Sequence, residues 1–183
     1  MFNETMHDIE TLATTPDAVV VSLGAVKFNL IDTDSYDTIQ DDPDRVFYAV
    51  LNRDEQVERG RLLCPKTQTW WDKQSREARK VFDAPTRSVK EILLEFNAWV
   101  GDAELLWGNG NMFDNVIMRN LYIMYGIKFP IPYWGDMDMR TLVTLNGGDK
   151  PAYPIATAHN ALDDAMMQTL QVQHIARELI SGK

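Results

Sequence analysis

Hydrophobic and polar positions alternate along this chain with periods that change from block to block, and the period sets the element expected. Ala18 to Leu30 (AVVVSLGAVKFNL) is dense in β-branched residues and predicts a strand. Ile31 to Asp44 is polar and acidic and reads as a turn or loop, after which Arg45 to Leu51 returns to a strand pattern. Thr67 to Phe82 reads as a helix with paired tryptophans near its start. In Ser88 to Val100 the apolar residues Val89, Ile92, Leu93, Phe96 and Val100 recur at helical spacing. Ser88 fits an N-cap there, Glu91 three residues on completes a capping box, and Gly101 is a stop signal.

Glu104 to Trp107 predicts a short strand that runs into the turn Gly108-Asn109-Gly110. Asn111 to Tyr125 follows as a helix ended by Gly126, then a proline-containing loop over 127–135. Asp138 to Leu145 predicts a short helix closed by Gly147-Gly148. Residues 160–180 form an amphipathic helix with Leu162, Ala165, Met166, Thr169, Val172, Ala176 and Ile180 on one face. Phe2 to Asp8 is read as a strand, although it is more polar than a buried central strand ordinarily is. Strands that come first and then alternate with helices give an α/β class with a mixed sheet. With 183 residues and no repeat or linker, one domain over 1–183 is the economical organisation.

Composition narrows the setting. No apolar run approaches a bilayer-spanning length, and no basic-then-apolar leader opens the chain. The one cysteine, Cys64, forbids an intrachain disulfide and suits a reducing cytoplasm. A net charge of −9 argues against a basic face that grips long duplex DNA. The charge is uneven: Arg53 to Lys90 holds ten Lys/Arg against six Asp/Glu, which leaves −13 for the rest. Such a division suits a protein that holds a few phosphates locally and binds cations elsewhere, though any one of these charges is equally a solvated surface group.

Four acidic positions stand at special places. Asp8 and Glu10 are two apart, so a strand points both to one face and Ile9 to the other. Asp114 lies at a helix start after a glycine-rich turn, and Asp164 lies in the first turns of the last helix, with His159 just before it. Taken singly, each has a plain explanation as a cap or dipole partner. Together they can converge at one sheet edge as oxygen ligands for hard cations such as Mg²⁺. Two such ions about 4 Å apart activate water and stabilise the leaving oxygen of a phosphodiester. Asp136 and Asp138 repeat the two-apart spacing as a weaker metal candidate. His7 points away from the acids, and His174 sits mid-helix as an exposed residue.

Residues 7–11 (HDIET), 107–115 (WGNGNMFDN) and 159–164 (HNALDD) resemble motifs I, II and III of the DEDDh exonucleases, whose fold is RNase H-like. The segment 69–80 (TWWDKQSREARK) resembles a stretch of phage exodeoxyribonucleases of the DexA and exonuclease VIII-associated types and of their RNase T-like relatives. The resemblance covers about residues 5 to 180. It implies that Asp8, Glu10, Asp114 and Asp164 bind two metal ions, Mg²⁺ with Mn²⁺ able to substitute. His159 would be the general base on the attacking water. His159 and Asp164 lie about 500° apart on a helical wheel, so the histidine belongs on the loop. Asp163 remains the alternative ligand, because the wheel does not separate it from Asp164, while the family spacing of five from the histidine points to Asp164. Ile9, Thr11, Asn109, Phe113 and Trp70 are the candidate substrate contacts, Phe113 and Trp70 by stacking. One of Trp70 and Trp71 is expected in the core.

The resulting expectation is a 3′–5′ exonuclease on single-stranded nucleic acid, with DNA slightly favoured over RNA. A homodimer is one expected assembly, since relatives often form them, and no membrane partner is expected. A phosphohydrolase of free nucleotides and a non-catalytic binding module of the same fold are the alternatives. The latter predicts a missing acid, and none is missing.

Overall fold

The computed structural model of the chain describes residues 2–182. Its frame is a five-stranded mixed sheet in the order β3-β2-β1-β4-β5. The strands are β1 (Glu4–Thr11), β2 (Val20–Phe28), β3 (Val46–Val50), β4 (Leu105–Gly108) and β5 (Asp136–Asp138). β1 to β3 form an antiparallel meander, while β4 and β5 add in parallel on the other side of β1. β5 stands where the sequence pattern gave no strand; its three residues are too few to show a period.

Two helices, α5 (Val89–Val100) and α6 (Asp114–Met124), cover one face of the sheet. There Ile9, Leu23, Leu106, Ile92, Phe96, Met118 and Tyr122 form one core. The long helix α8 (Ala161–Ser181) covers the other face, where Met6, Val26, Trp107, Met166 and Val172 form a second. β1 thus lies mid-sheet with both faces covered, and Glu4 and His7 find buried partners. The Trp107 indole donates to Glu4 at 2.5 Å, and His7 hydrogen-bonds Asn115 at 2.8 Å. This is how a polar segment serves as a central strand.

Several boundaries differ from the sequence pattern. The acidic stretch 31–44 contains a short helix, α1 (Tyr36–Gln40), because Ser35 and Thr38 close a reciprocal cap. The helix expected over 67–82 is broken into α3 (Pro65–Trp71), α4 (Arg76–Arg79) and a 3₁₀ turn at Lys80–Phe82. Ser75 caps α4 afresh, so the chain turns after Trp71. The capping box expected at Ser88 is not formed. The Ser88 side chain caps nothing, and the first amide of α5 donates instead to Glu55 of α2 (Arg53–Glu58) at 3.1 Å. α6 begins three residues later than expected, at Asp114. α7 (Met139–Leu145) is as expected, with Asp138 as its N-cap. Ile180, placed by periodicity on the apolar stripe of α8, is exposed because the helix outruns the sheet. Among the described residues no helix is long and apolar enough to cross a membrane.

One close approach controls the architecture. Gly24 on β2 lies directly opposite Asp8 on β1. A Cβ at Gly24 would lie 2.2 Å from the Ala161 carbonyl carbon and the Leu162 nitrogen, the first backbone atoms of α8. Only a residue without a side chain lets the helix start touch the sheet there. Both obstructing atoms are backbone and cannot rotate away. Gly24→Ala is therefore expected to destabilise the fold by about 2–3 kcal/mol or more. Thermal melts should show this as a fall in Tm of roughly 4–12 °C, and an unchanged Tm would contradict the contact.

Candidate active site

The site lies where β1 outruns its parallel neighbour. β4 pairs with β1 only through Met6, so the far end of β1 is open on that side. Asp8 and Glu10 share the α8 face of this open end, with a register shift just after Glu10. Asp114 opens α6 across the gap, and the backbone N–H of Ile9 donates toward its carboxylate. Gly108, the last residue of β4, makes room for this: a Cβ there would be 2.7 Å from the Asn115 side chain and 3.2 Å from Asp114 Cβ.

α8 delivers the remaining groups. Asn160 caps it, its side-chain oxygen accepting from the amides of Leu162 and Asp163. His159, just before the cap, has φ +64°, a left-handed conformation unusual for a residue with a side chain. Its backbone N–H donates to Asp164 Oδ2 at 2.8 Å. One ligand atom each from Glu10, His159 and Asp164 lie within 4.8 Å of one another. Asp163 points elsewhere, accepting the Tyr36 hydroxyl at 2.5 Å. Of the two aspartates that the helical wheel left unseparated, Asp164 is the one that stands beside Glu10 and His159.

Burial and mutual repulsion govern the protonation of the four carboxylates. Asp8 is pushed well above its ordinary range by burial and by Asp114, Glu10 and Asp164, with Gln168 opposing. Glu10 is raised to about 8, by burial first and then by Asp164 and Asp114. Asp114 is raised to about 7 by burial, which its backbone donors and Arg140 only partly offset. Asp164 is raised by burial as well. Such a cluster is costly when ionised without cations, and a divalent cation relieves that cost. The donor set, carboxylate oxygens with one imidazole, suits a hard divalent metal.

A cavity of about 640 Å³ opens over this floor, lined by Ile9, Glu10, Thr11, Phe113, Trp70 and His159, with Lys66 and Arg140 at its sides. Trp70 is half exposed and meets the His159 ring edge-on at a centroid distance of 4.8 Å. Trp71 is the core tryptophan of the pair, and its indole donates to the Thr11 carbonyl at 2.9 Å. The Thr11 hydroxyl donates to the Ala13 carbonyl, which leaves it free only as an acceptor. Asn109 sits in the turn after β4 and does not line the cavity. Asp136 and Asp138 are committed elsewhere: Asp136 to Arg119 and Asn115, Asp138 to capping α7. His174 is partly exposed and bonded to Tyr153.

Sequence reasoning passed over two neighbours of the acids. Gln168 donates to Asp8 Oδ1 at 2.8 Å; it lies four residues after Asp164 on α8, which is a same-face signal. Asn115 sits behind Asp114 and links His7 to Asp136, a buried connection that no local pattern reveals.

Comparisons with known proteins bear on this geometry. Among solved structures, the zinc-bound Exonuclease I–ssDNA complex of E. coli aligns at TM-score 0.60 and 16% identity, over 98% of this chain and 42% of that one. The chain thus spans about two fifths of Exonuclease I. The nuclease domain of 3′hExo, a DEDDh family member bound to rAMP, aligns at TM-score 0.53 and 14% identity, over 99% and 94% of the two chains. S. pombe Pop2p, in its Mg²⁺- and Mn²⁺-bound form, aligns at TM-score 0.56 and 8% identity, over 100% and 86%. At these identities the likeness is one of fold, RNase H-like as expected. No curated protein sequence matches the chain. A family model described as the 3′–5′ exoribonuclease Rv2179c-like domain matches residues 3–176. With a match over nearly its whole length, the chain belongs to the Rv2179c-like 3′–5′ exoribonuclease domain family.

Proposed function

We propose that this protein removes nucleotides one at a time from the 3′ end of single-stranded nucleic acid, with RNA as the first substrate to test. The observation that carries the reading is the clustering of Asp8, Glu10, Asp114, Asp164 and His159 at the open end of β1, with Glu10 and His159 lining one cavity, in a chain of an exoribonuclease family. The family description weighs toward RNA. The sequence resemblance to phage enzymes, and the ssDNA bound to Exonuclease I, weigh toward DNA as the second reading.

The four carboxylates would hold two divalent ions, Mg²⁺ or Mn²⁺, which when bound supply Lewis acidity at the scissile phosphate. His159 accepts a proton from the attacking water as the new P–O bond forms. The P–O3′ bond then breaks, releasing a nucleoside 5′-monophosphate and a strand shorter by one. Trp70 and Phe113 offer faces to the terminal bases, Ile9 packs beneath them, and Thr11 accepts from the terminal sugar. Asn109, outside the cavity, would act only by shaping the turn ahead of Asp114.

With Mg²⁺, a 5′-labelled single-stranded oligonucleotide should give a ladder of shortening products. Asp114→Asn should lower the rate by at least about a thousandfold. A wild-type protein that leaves matched RNA and DNA oligomers intact in both Mg²⁺ and Mn²⁺ would refute the reading. Trp70→Ala should weaken oligonucleotide binding roughly tenfold, the scale of one base stack, and Trp70→Phe should recover most of it.

The raised carboxylates also give a pH dependence of stability. The folded state binds protons more tightly than the unfolded chain, so stability is greatest below the unfolded pKa near 4 and is lost as pH rises through about 7 to 8. In EDTA, Tm should therefore fall between about pH 5 and pH 8. Saturating Mn²⁺ should restore it at the alkaline end, where the ligands are ionised. A metal-free Tm that rises over that range would contradict the electrostatics.

A further inference from the structure

Arg140 is a charged group of this cavity whose side chain makes neither a salt bridge nor a hydrogen bond among the described residues. It stands in the first turn of α7 and shares the cavity lining with Glu10, Phe113 and His159. Among the described residues its guanidinium forms no salt bridge, unlike those of Arg45, Arg87 and Arg119. It is not loosely placed, however. It lies against Gly110, where a Cβ would be 3.1 Å from Nε and 3.3 Å from Cζ. Gly110 has φ +106°, a conformation that excludes most side chains, so the turn after β4 keeps a bare surface for the guanidinium. Arg140 is also near enough to Asp114 to oppose the rise in its pKa. Lys150, beyond it, feels Arg140, Asp164 and Asp8 together, and Lys66 lines the same cavity.

The charge balance gives this position a purpose. Cations that neutralise four carboxylates leave the negative charge of an incoming phosphate unmatched. A guanidinium with its donors uncommitted is suited to phosphate oxygens. We propose that Arg140, laid over Gly110, is the phosphate-binding residue of this site and grips a backbone phosphate of the substrate's 3′-terminal dinucleotide. The inference rests on the exonuclease reading above and adds a substrate contact to it.

The test separates phosphate binding from an effect on the acids. Binding of a 5′-fluorescein single-stranded oligonucleotide to the full chain is followed by anisotropy in Ca²⁺, between about 50 and 200 mM salt. Arg140→Gln should weaken binding at least about tenfold at the lowest salt. It should also reduce the slope of log Kd against log salt by about 0.7, the value for one phosphate contact on a single strand. Arg140→Lys should keep the slope and recover part of the affinity. The Mn²⁺-induced rise in Tm should be the same in all three proteins. Wild-type affinity and slope in Arg140→Gln would overturn the proposal while leaving the exonuclease reading intact. A lost Mn²⁺ response in Arg140→Gln would overturn it too, by making Arg140 a partner of Asp114. If the wild-type protein neither binds nor shortens the oligonucleotide, both readings fall.

Discussion

The backbone contact between the start of α8 and Gly24 ties the whole site together. Gly24 is the cross-strand partner of Asp8, so the point where helix touches sheet is also the point where the first acid stands. Bringing Ala161 onto that glycine carries Asp164, three residues on, over Asp8 and Glu10. It also forces the preceding loop to turn sharply, which His159 accomplishes with a left-handed backbone. A side chain at position 24 would lift the helix and open the site. The acids then repel one another at short range because the contact that gathers them leaves no slack.

Such a site is costly to the folded state, and the surrounding structure offsets this with hydrogen bonds rather than opposite charges. Gln168 donates to Asp8, backbone amides of Ile9 and His159 donate to Asp114 and Asp164, and Asn160 holds the helix start. These are neutral donors, which orient the carboxylates without neutralising them. A Lys or Arg in direct contact would have quenched the field that attracts a divalent cation. Among the described residues the nearby cations Arg140, Lys150 and Lys66 stand at the margins. The aromatic pair contributes from the other side. Trp71 is anchored to the end of β1 through Thr11, and Trp70 carries that anchorage to the His159 ring.

The legibility of the molecule in its sequence followed the range of the interactions involved. α5 and α8 were readable because each buries a regular stripe, which imprints its period locally, and β2 because it is a β-branched run buried along nearly all its length. β1 was readable only with reservation, since its polarity is explained by Trp107 and Asn115, residues about a hundred positions away. The break after Trp71 has a local signal in Ser75 that the apolar spacing does not show, whereas the missing cap at Ser88 has none. Ser75 caps α4 afresh, while at the start of α5 a distant carboxylate, Glu55, accepts from the Val89 amide and the Ser88 side chain caps nothing.

By itself, the sequence determined which chemistry is available. Two carboxylates on one face of a strand, an aspartate at each of two helix starts and a histidine five residues before the last of them are facts of spacing. The family resemblance made that spacing the expected place of an exonuclease site. Only the tertiary structure separates Asp163 from Asp164, turning one to Tyr36 and bringing the other within 4.8 Å of Glu10 and His159. It also withdrew Asn109 from that cavity, brought Gln168 to Asp8 and left Arg140 free beside the acids. The physical reason is common to all of these. Periodicity specifies the face on which a side chain lies, but its partner is specified by whichever part of the chain the sheet and helices bring opposite. Here the missing side chain of Gly24 decides what stands opposite Asp8.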